Sequence, residues 1–362
     1  MKNNSELSKK NNQRLVYLRC VFIKIFKVDT VNEFYSAEIF LQSKWREPLL
    51  DNRSDIKDIS LSSFWNPKIS IENIFMETKS SISHEVSYSG KAREAYITEK
   101  RRVSGGFREV LELQHFPFDC QDLSITVSTE YPINEVKMLE CPHDLSKLNT
   151  IDGMESQEWN LYEHVEVESK TVINDCNIGP RERQTMTFTC RASRRFKYFL
   201  INHIMISSMF FLLTFTSFSI APQTNTYYRL GLCMTTLLTS VTFKVAVSQN
   251  LPKIPYLTYL DKAILGNIVM IMCLCIWHAS TSLFFLTKIF SDNSTITTTA
   301  IEGIEKYLIP SLVVFYGLAI LAVGLTIYFD AGKRRREMIA KDVEFSEMIK
   351  KIETEKLFCD VC

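Results

Sequence analysis

From Arg14 to about Ala192, apolar and polar residues alternate with a period of two. Clear runs are VYLRCVFIKIF (Val16–Phe26), SAEIFLQSKW (Ser36–Trp45), KAREAYIT (Lys91–Thr98), DLSITVS (Asp122–Ser128), WNLYEHVEVES (Trp159–Ser169) and TMTFTCRA (Thr185–Ala192). They are rich in β-branched and aromatic residues and broken by turn residues, which predicts antiparallel strands. So many short strands in succession predict a β-sandwich. The second half loses this alternation. Four apolar stretches, about 198–221, 229–251, 262–288 and 308–329, take its place. Each is close to the ~20 residues that cross ~30 Å of hydrocarbon. The predicted fold class is β plus membrane α. A sandwich over residues 1–193 precedes a transmembrane four-helix domain over 194–329, with a short loop at 289–307 and a helix-prone amphipathic tail at 330–362.

The second apolar stretch has two faces. Gly231, Thr235, Leu238, Thr242, Val245 and Gln249 step by four or three and share one stripe of an α-helix. Tyr228 extends that stripe at its start. The remaining positions are mostly aliphatic. Threonines and one leucine in a row suit a helix beside a narrow water path, since hydroxyls replace part of an ion's hydration and leucines close the path by dewetting. The same pattern also fits a helix buried in a bundle, its threonines bonded to its own carbonyls.

Charge and cysteine usage narrow the class. A net charge of +1 gives no case for nucleic acid, and between Glu182 and Asp261 there is no carboxylate. The start, MKNNSELSKKNN, has no apolar core, so the sequence is expected to be processed or trimmed if its first domain is exported. Of ten cysteines, Cys233, Cys273 and Cys275 fall in apolar stretches and are expected to be core thiols. Cys20, Cys120, Cys141, Cys176 and Cys190 fall in the first half, where their odd number allows at most two bridges. Cys120 with Cys141, and Cys176 with Cys190 at a hairpin base, are the candidate pairs, with free thiols the alternative. Neither metal-ligand spacing nor a nucleophile–base set appears, so no metal, cofactor or enzymatic activity is expected. His278 reads as an interhelical hydrogen-bonding group.

Several motifs occur in a specific order: VDTVNEFYSAEIFLQSKWREPLL (Val28–Leu50), WNPKISIEN (Trp65–Asn73), HFPFDCQDL (His115–Leu123), RRFKYFLIN (Arg194–Asn202), and the threonine–leucine helix ending in NLPK (Asn250–Lys253). Together they resemble the Cys-loop receptors, the pentameric ligand-gated ion channels, over nearly the whole chain. The resemblance implies an extracellular sandwich, four helices per subunit, a plasma-membrane location and a homopentamer or a pentamer with related subunits. It also implies an extracellular small-molecule ligand, a permeating ion and contact with the bilayer. It places the tail outside. Against that, the basic run Lys333–Arg336 favours the cytoplasm, and Asn293-Ser-Thr is a glycosylation sequon in a loop that should be inside.

Departures from the family pattern are as informative. The family's disulfide would join positions 109 and 123, which here are Glu109 and Leu123. A bridge there would add ~3 kcal/mol in the chain-entropy model. Packing by Phe116 and Phe118 is expected to replace it. A proline of the first span is replaced by Ile206, so one kink is expected to be missing. The aromatic ligand box maps onto Phe40, Glu72, Tyr96, Glu130, Tyr131, Arg181 and Arg183, a largely charged set. It implies either an amphipathic or acidic ligand or an empty cleft closed by a Glu130–Arg183 pair. Coupling between sandwich and pore is implied for Asp29, Val31, Phe116, Phe118, Asp119, Arg194 and Pro255, with Asp29 and Asp119 the candidate partners of Arg194. Tyr227-Tyr228 matches neither the cation-selective nor the anion-selective pattern, while Arg229 slightly favours anions. The expected function is a ligand-gated channel subunit. A non-conducting binding or accessory subunit is the alternative.

Overall fold

The structure is a computed structural model describing residues 13–52, 63–89, 93–142, 144–149, 158–174, 181–220, 226–249, 251, 254–288 and 294–361. The chain divides into two compact units. One comprises Met1–Leu111, Cys120–Ser193 and Arg335–Cys362, and the other Glu112–Asp119 and Arg194–Arg334.

The first unit is a folded-over sheet. Its strands are β1 (Arg14–Asp29), β2 (Phe34–Arg46), β3 (Ile69–Ile71), β4 (Ile74–Ser89), β5 (Glu94–Arg108), β6 (Cys120–Thr129), β7 (Val136–Glu140), β8 (Lys147–Leu148), β9 (Trp159–Asn174) and β10 (Arg181–Arg194). The spatial order is β3-β6-β10-β9-β8-β1-β2-β5-β4, with β7 parallel on β1. Alternation decides what faces inward. On β1, Val16, Leu18, Cys20 and Phe22 are buried; register then shifts between Phe22 and Lys24 and between Ile25 and Lys27, which turns Ile25 and Val28 inward. These meet Leu123, Ile125 and Val127 of β6 and Met186, Phe188 and Cys190 of β10 in one core. Trp45, Trp159, Phe107 and Phe188 are fully buried there. Each contributes on the order of 2–3 kcal/mol by leaving water. Edge strand β4 lies so close over β5 that a Cβ on Gly105 would come 2.5 Å from the Met76 carbonyl oxygen.

Of the two candidate bridges, Cys120–Cys141 is not made: both are thiols, and Cys120 is buried with Tyr162 and Met338. Cys190 is a core thiol on the inward face of β10, and Cys176 lies outside the described residues.

The second unit is helical: α1 (Lys197–Ser219), α2 (Thr226–Ser248), α3 (Tyr259–Lys288) and the start of α4 (Ser294–Val361). All four are long and apolar enough to cross a membrane. Polar side chains tie them together. Asn267 donates to Ser207 Oγ at 2.9 Å and accepts from the Tyr316 hydroxyl at 3.0 Å, and His278 Nε2 lies 2.8 Å from Ser217 Oγ. Although Ile206 replaces a proline, α1 is not regular: Leu200–Met205 winds as a π-helix. The Asn202 side-chain amide donates to Tyr198 O at 3.1 Å, the carbonyl that its own backbone N–H would use in an α-helix. The turn supplies an irregularity without proline, and the Asn202 amide satisfies a carbonyl within reach of it.

Candidate functional site

The seven residues mapped to the ligand box fall into two sets on different strands. Phe40 and Tyr96 lie on β2 and β5, on the sheet face opposite the buried Trp45 and Ile97. Charge surrounds them. Arg102, cross-strand from Phe40, pairs with Glu38 at 2.6 Å, and Lys44 sits 4.9 Å over the Tyr96 ring. The Tyr96 hydroxyl reaches Glu94 at 3.3 Å. Burial, with Glu94 alongside, pushes the Tyr96 phenol up.

The others lie on or beside β3, β6 and β10, with Glu72 at the opposite end of β3 from Lys68 and Glu130. Glu72 is exposed, and its backbone N–H donates to Thr126 O. Ile133 N–H donates to Glu182 O at 2.9 Å, which joins the segment after Glu130 and Tyr131 to the strand carrying Arg181 and Arg183. The Arg181 side chain lies outside the described residues. Glu130 does not close the cleft onto Arg183. It accepts from Lys68 Nζ at 3.0 Å. Lys68 stands where the family motif has aspartate, has a φ of 49°, and is held by Asn66 Oδ1 at its backbone N–H. The hydrogen bond to Glu130 pushes the exposed Lys68 ammonium up. Two departures from the motif thus compensate each other in charge. Beside them, Tyr131 packs on Trp65 with ring centroids 5.6 Å apart, and the Arg14 guanidinium lies 4.4 Å from the centroid of the Trp65 ring. Arg14 escaped the sequence reading because no local pattern links it to Trp65.

The loop that lacks a disulfide is closed differently. Glu109 accepts from Ser124 N–H at 2.8 Å and Ser124 Oγ at 2.5 Å. Ser124 O in turn accepts from the Tyr35 hydroxyl and the Asn73 amide. The carboxyl therefore ties Glu109 to β6 where the family has its crosslink, a role that packing alone was expected to fill. Burial pushes the Glu109 carboxyl up, against the pull of the Ser124 bonds. Phe116 is buried within the second unit, 4.8 Å from the Phe199 ring, and half-buried Phe118 packs on Phe196.

Arg194 finds its partner in Asp119. Nε and one terminal nitrogen reach the two carboxylate oxygens at 2.9 and 3.3 Å, and the Arg194 backbone N–H donates to Asp119 O. Both side chains are buried. Asp29 has other partners: Lys27 at 2.7 Å and the backbone N–H groups of Val31 and Asn32. Slight burial raises its pKa, but the Lys27 and Asn32 hydrogen bonds outweigh this and hold it below the ordinary value. Val31 and Pro255 are exposed, and next to Pro255 the Tyr256 hydroxyl accepts from Leu113 N–H at 3.1 Å.

On α2, one face packs and the opposite face does not. Arg229, Cys233, Thr236, Ser240 and Val247 are buried. Tyr228, Gly231, Thr235, Leu238, Thr242, Val245 and Gln249 are all exposed. The Thr235 and Thr242 hydroxyls donate to the Gly231 and Leu238 carbonyls of their own helix. Their oxygen lone pairs stay open on the uncovered face. Arg229 is not a free charge. It is 1% exposed, pairs with Glu305 of α4 at 2.6 Å, and donates to the Phe218 and Ile220 carbonyls. Glu305 was missed because nothing in the local sequence around it points to α2.

A family model for the neurotransmitter-gated ion-channel ligand binding domain matches residues 2–196. The chain belongs to this family. Its sandwich is the extracellular ligand-binding domain of a multi-pass plasma-membrane protein, and it is not an enzyme. Similar proteins include a gamma-aminobutyric acid receptor subunit beta-4 of Gallus gallus, 22% identical over 73% of this chain and 54% of the relative. A gamma-3 subunit of Mus musculus is 24% identical over 65% of this chain and 50% of the relative. A beta-like subunit of Drosophila melanogaster is 24% identical over 68% and 50%. The chain spans about half the length of the curated relatives it matches.

Proposed function

We propose that this chain is a subunit of a pentameric ligand-gated ion channel, in which a ligand held between extracellular domains opens a central pore lined by α2. The observation that carries the reading is the uncovered stripe Tyr228, Gly231, Thr235, Leu238, Thr242, Val245 and Gln249. A stripe of small and hydroxylated residues with one leucine suits a shared aqueous axis better than lipid. The division of the ligand residues into two sets supports the same reading. In a ring, the Phe40 and Tyr96 face of one copy would meet Glu72, Glu130, Tyr131, Arg181 and Arg183 of the next.

The charged character of both sets favours an amphipathic or acidic small molecule. Gamma-aminobutyric acid, which names the relatives, carries both charges and heads the screen. A second reading, a non-conducting accessory subunit, is favoured by Tyr227-Tyr228 at the base of α2 and by the Lys68–Glu130 pair where the family has aromatic recognition. Expression of the chain alone in oocytes, with and without Leu238→Thr, separates the two. Ligand-evoked or constitutive current in Leu238→Thr supports the channel. Surface pentamers without current support the accessory subunit.

A further inference from the structure

The amphipathic tail is not a free appendage. Its residues from Arg335 onward belong to the same compact unit as the sandwich. One stripe of the tail, Met338, Lys341, Asp342 and Phe345, has the helical spacing i, i+3, i+4, i+7. Each of the four touches the sandwich. Met338 is buried with Cys120 and Tyr162. Asp342 Oδ1 accepts from the backbone N–H of His164 at 3.0 Å. The buried Phe345 lies edge-on to the His164 ring, centroids 6.2 Å apart. Lys341 reaches Glu166 at 3.6 Å, and Glu166 also holds Arg191 of β10, which bonds Asp122 of β6. The opposite side of the tail, with Ile339 and Val343, is exposed.

We infer that Met338–Phe345 is an extracellular clasp on β9 that restrains the β9–β10 hairpin. Three features carry this: a side chain buried in the sandwich, a hydrogen bond to a strand backbone, and an ion-pair relay from the tail through β9 to β10. Since the sandwich is extracellular, a helix packed into it is extracellular too, so the basic run Lys333–Arg336 is an exception to the positive-inside tendency. The further consequence, that the clasp sets the ligand concentration needed for opening, rests on the channel reading above.

The clasp itself is tested without ligand or current, on the full chain. Ile339→Cys is treated with a membrane-impermeant maleimide on intact cells, against the wild type as background. Labelling is expected; labelling only after permeabilisation overturns the inference. Amide hydrogen exchange over β9 is then compared for wild type, Asp342→Ala and Met338→Asp. Release of the clasp should speed exchange at the His164 amide by about tenfold. Asp342 is partly exposed, so its alanine variant is expected to fold and keeps the test decisive if Met338→Asp does not. Unchanged exchange at His164 in Asp342→Ala overturns the inference, whether or not the chain conducts.

Discussion

Glu109 shows how one side chain can replace a covalent constraint. Its two hydrogen bonds to Ser124 predict that, below pH ~4.5 where the carboxyl is neutral, Glu109→Ala lowers stability by roughly 1–3 kcal/mol, read as a fall in the thermal midpoint of the purified chain. The pH dependence has a definite sign. Burial raises the folded-state pKa of Glu109 above 4.5. Its contribution favours folding fully below that value and is lost as pH rises through the folded pKa. Glu109→Gln removes the titration, so the wild type should lose stability relative to this variant as pH climbs from about 4.5 towards neutrality. Equal slopes for the two proteins would show that Glu109 does not titrate in this range. Arg194 and Asp119 belong to the same scale. Removing one member of a buried pair strands the other, which costs about 3–5 kcal/mol. Arg194→Ala and Asp119→Asn are therefore expected to abolish surface assembly or gating, and normal surface currents in either would refute the role assigned to the pair.

Among the elements, the strands were the most legible part of the chain. The runs at Val16–Phe26, Ser36–Trp45, Asp122–Ser128 and Trp159–Ser169 all lie within β1, β2, β6 and β9, because side-chain alternation is a local property. Edge strand β4 is exposed along most of its length and shows little contrast between its faces, so the same signal is weak there. The π-helical turn in α1 was illegible for a different reason: no proline or other breaker residue marks it. The candidate site was legible as positions rather than as partners. Lys68 with Glu130, Arg14 with Trp65, and Arg229 with Glu305 are all set by tertiary packing. The last pair changes the reading of α2. With Arg229 consumed by Glu305 and two carbonyls, the start of the helix presents tyrosines rather than a basic ring. If the chain conducts, Glu305→Gln should loosen Arg229 and shift the reversal potential towards that of anions. An unchanged reversal potential would mean that the guanidinium stays held by the Phe218 and Ile220 carbonyls.

For the whole molecule, the tail and sandwich share a titratable contact at His164. His164 faces Arg191 of β10, Glu166 of its own strand, and Lys341, Asp342 and Phe345 of the tail. Burial first, and then Arg191, holds its pKa below 6.5, against the pull of Asp342 and Glu166. A depressed histidine favours the folded contact above its unfolded pKa, and that contribution is lost as pH falls through the folded value. Proteolysis within the tail should therefore quicken as pH drops from about 7.5 to about 5.5, and His164→Gln should flatten the profile after correction for the protease's own pH dependence. A profile unchanged in His164→Gln would assign the effect to another group.

The carboxylate clip at Ser124 also frees this loop from oxidative chemistry. A thiol-based crosslink must wait for an oxidising compartment and can be undone by a reductant. A contact made of oxygen and nitrogen forms as soon as its strands meet, and dithiothreitol leaves it intact. Maturation of the Glu109–Ser124 segment is therefore expected to proceed at the same yield in reducing and oxidising media.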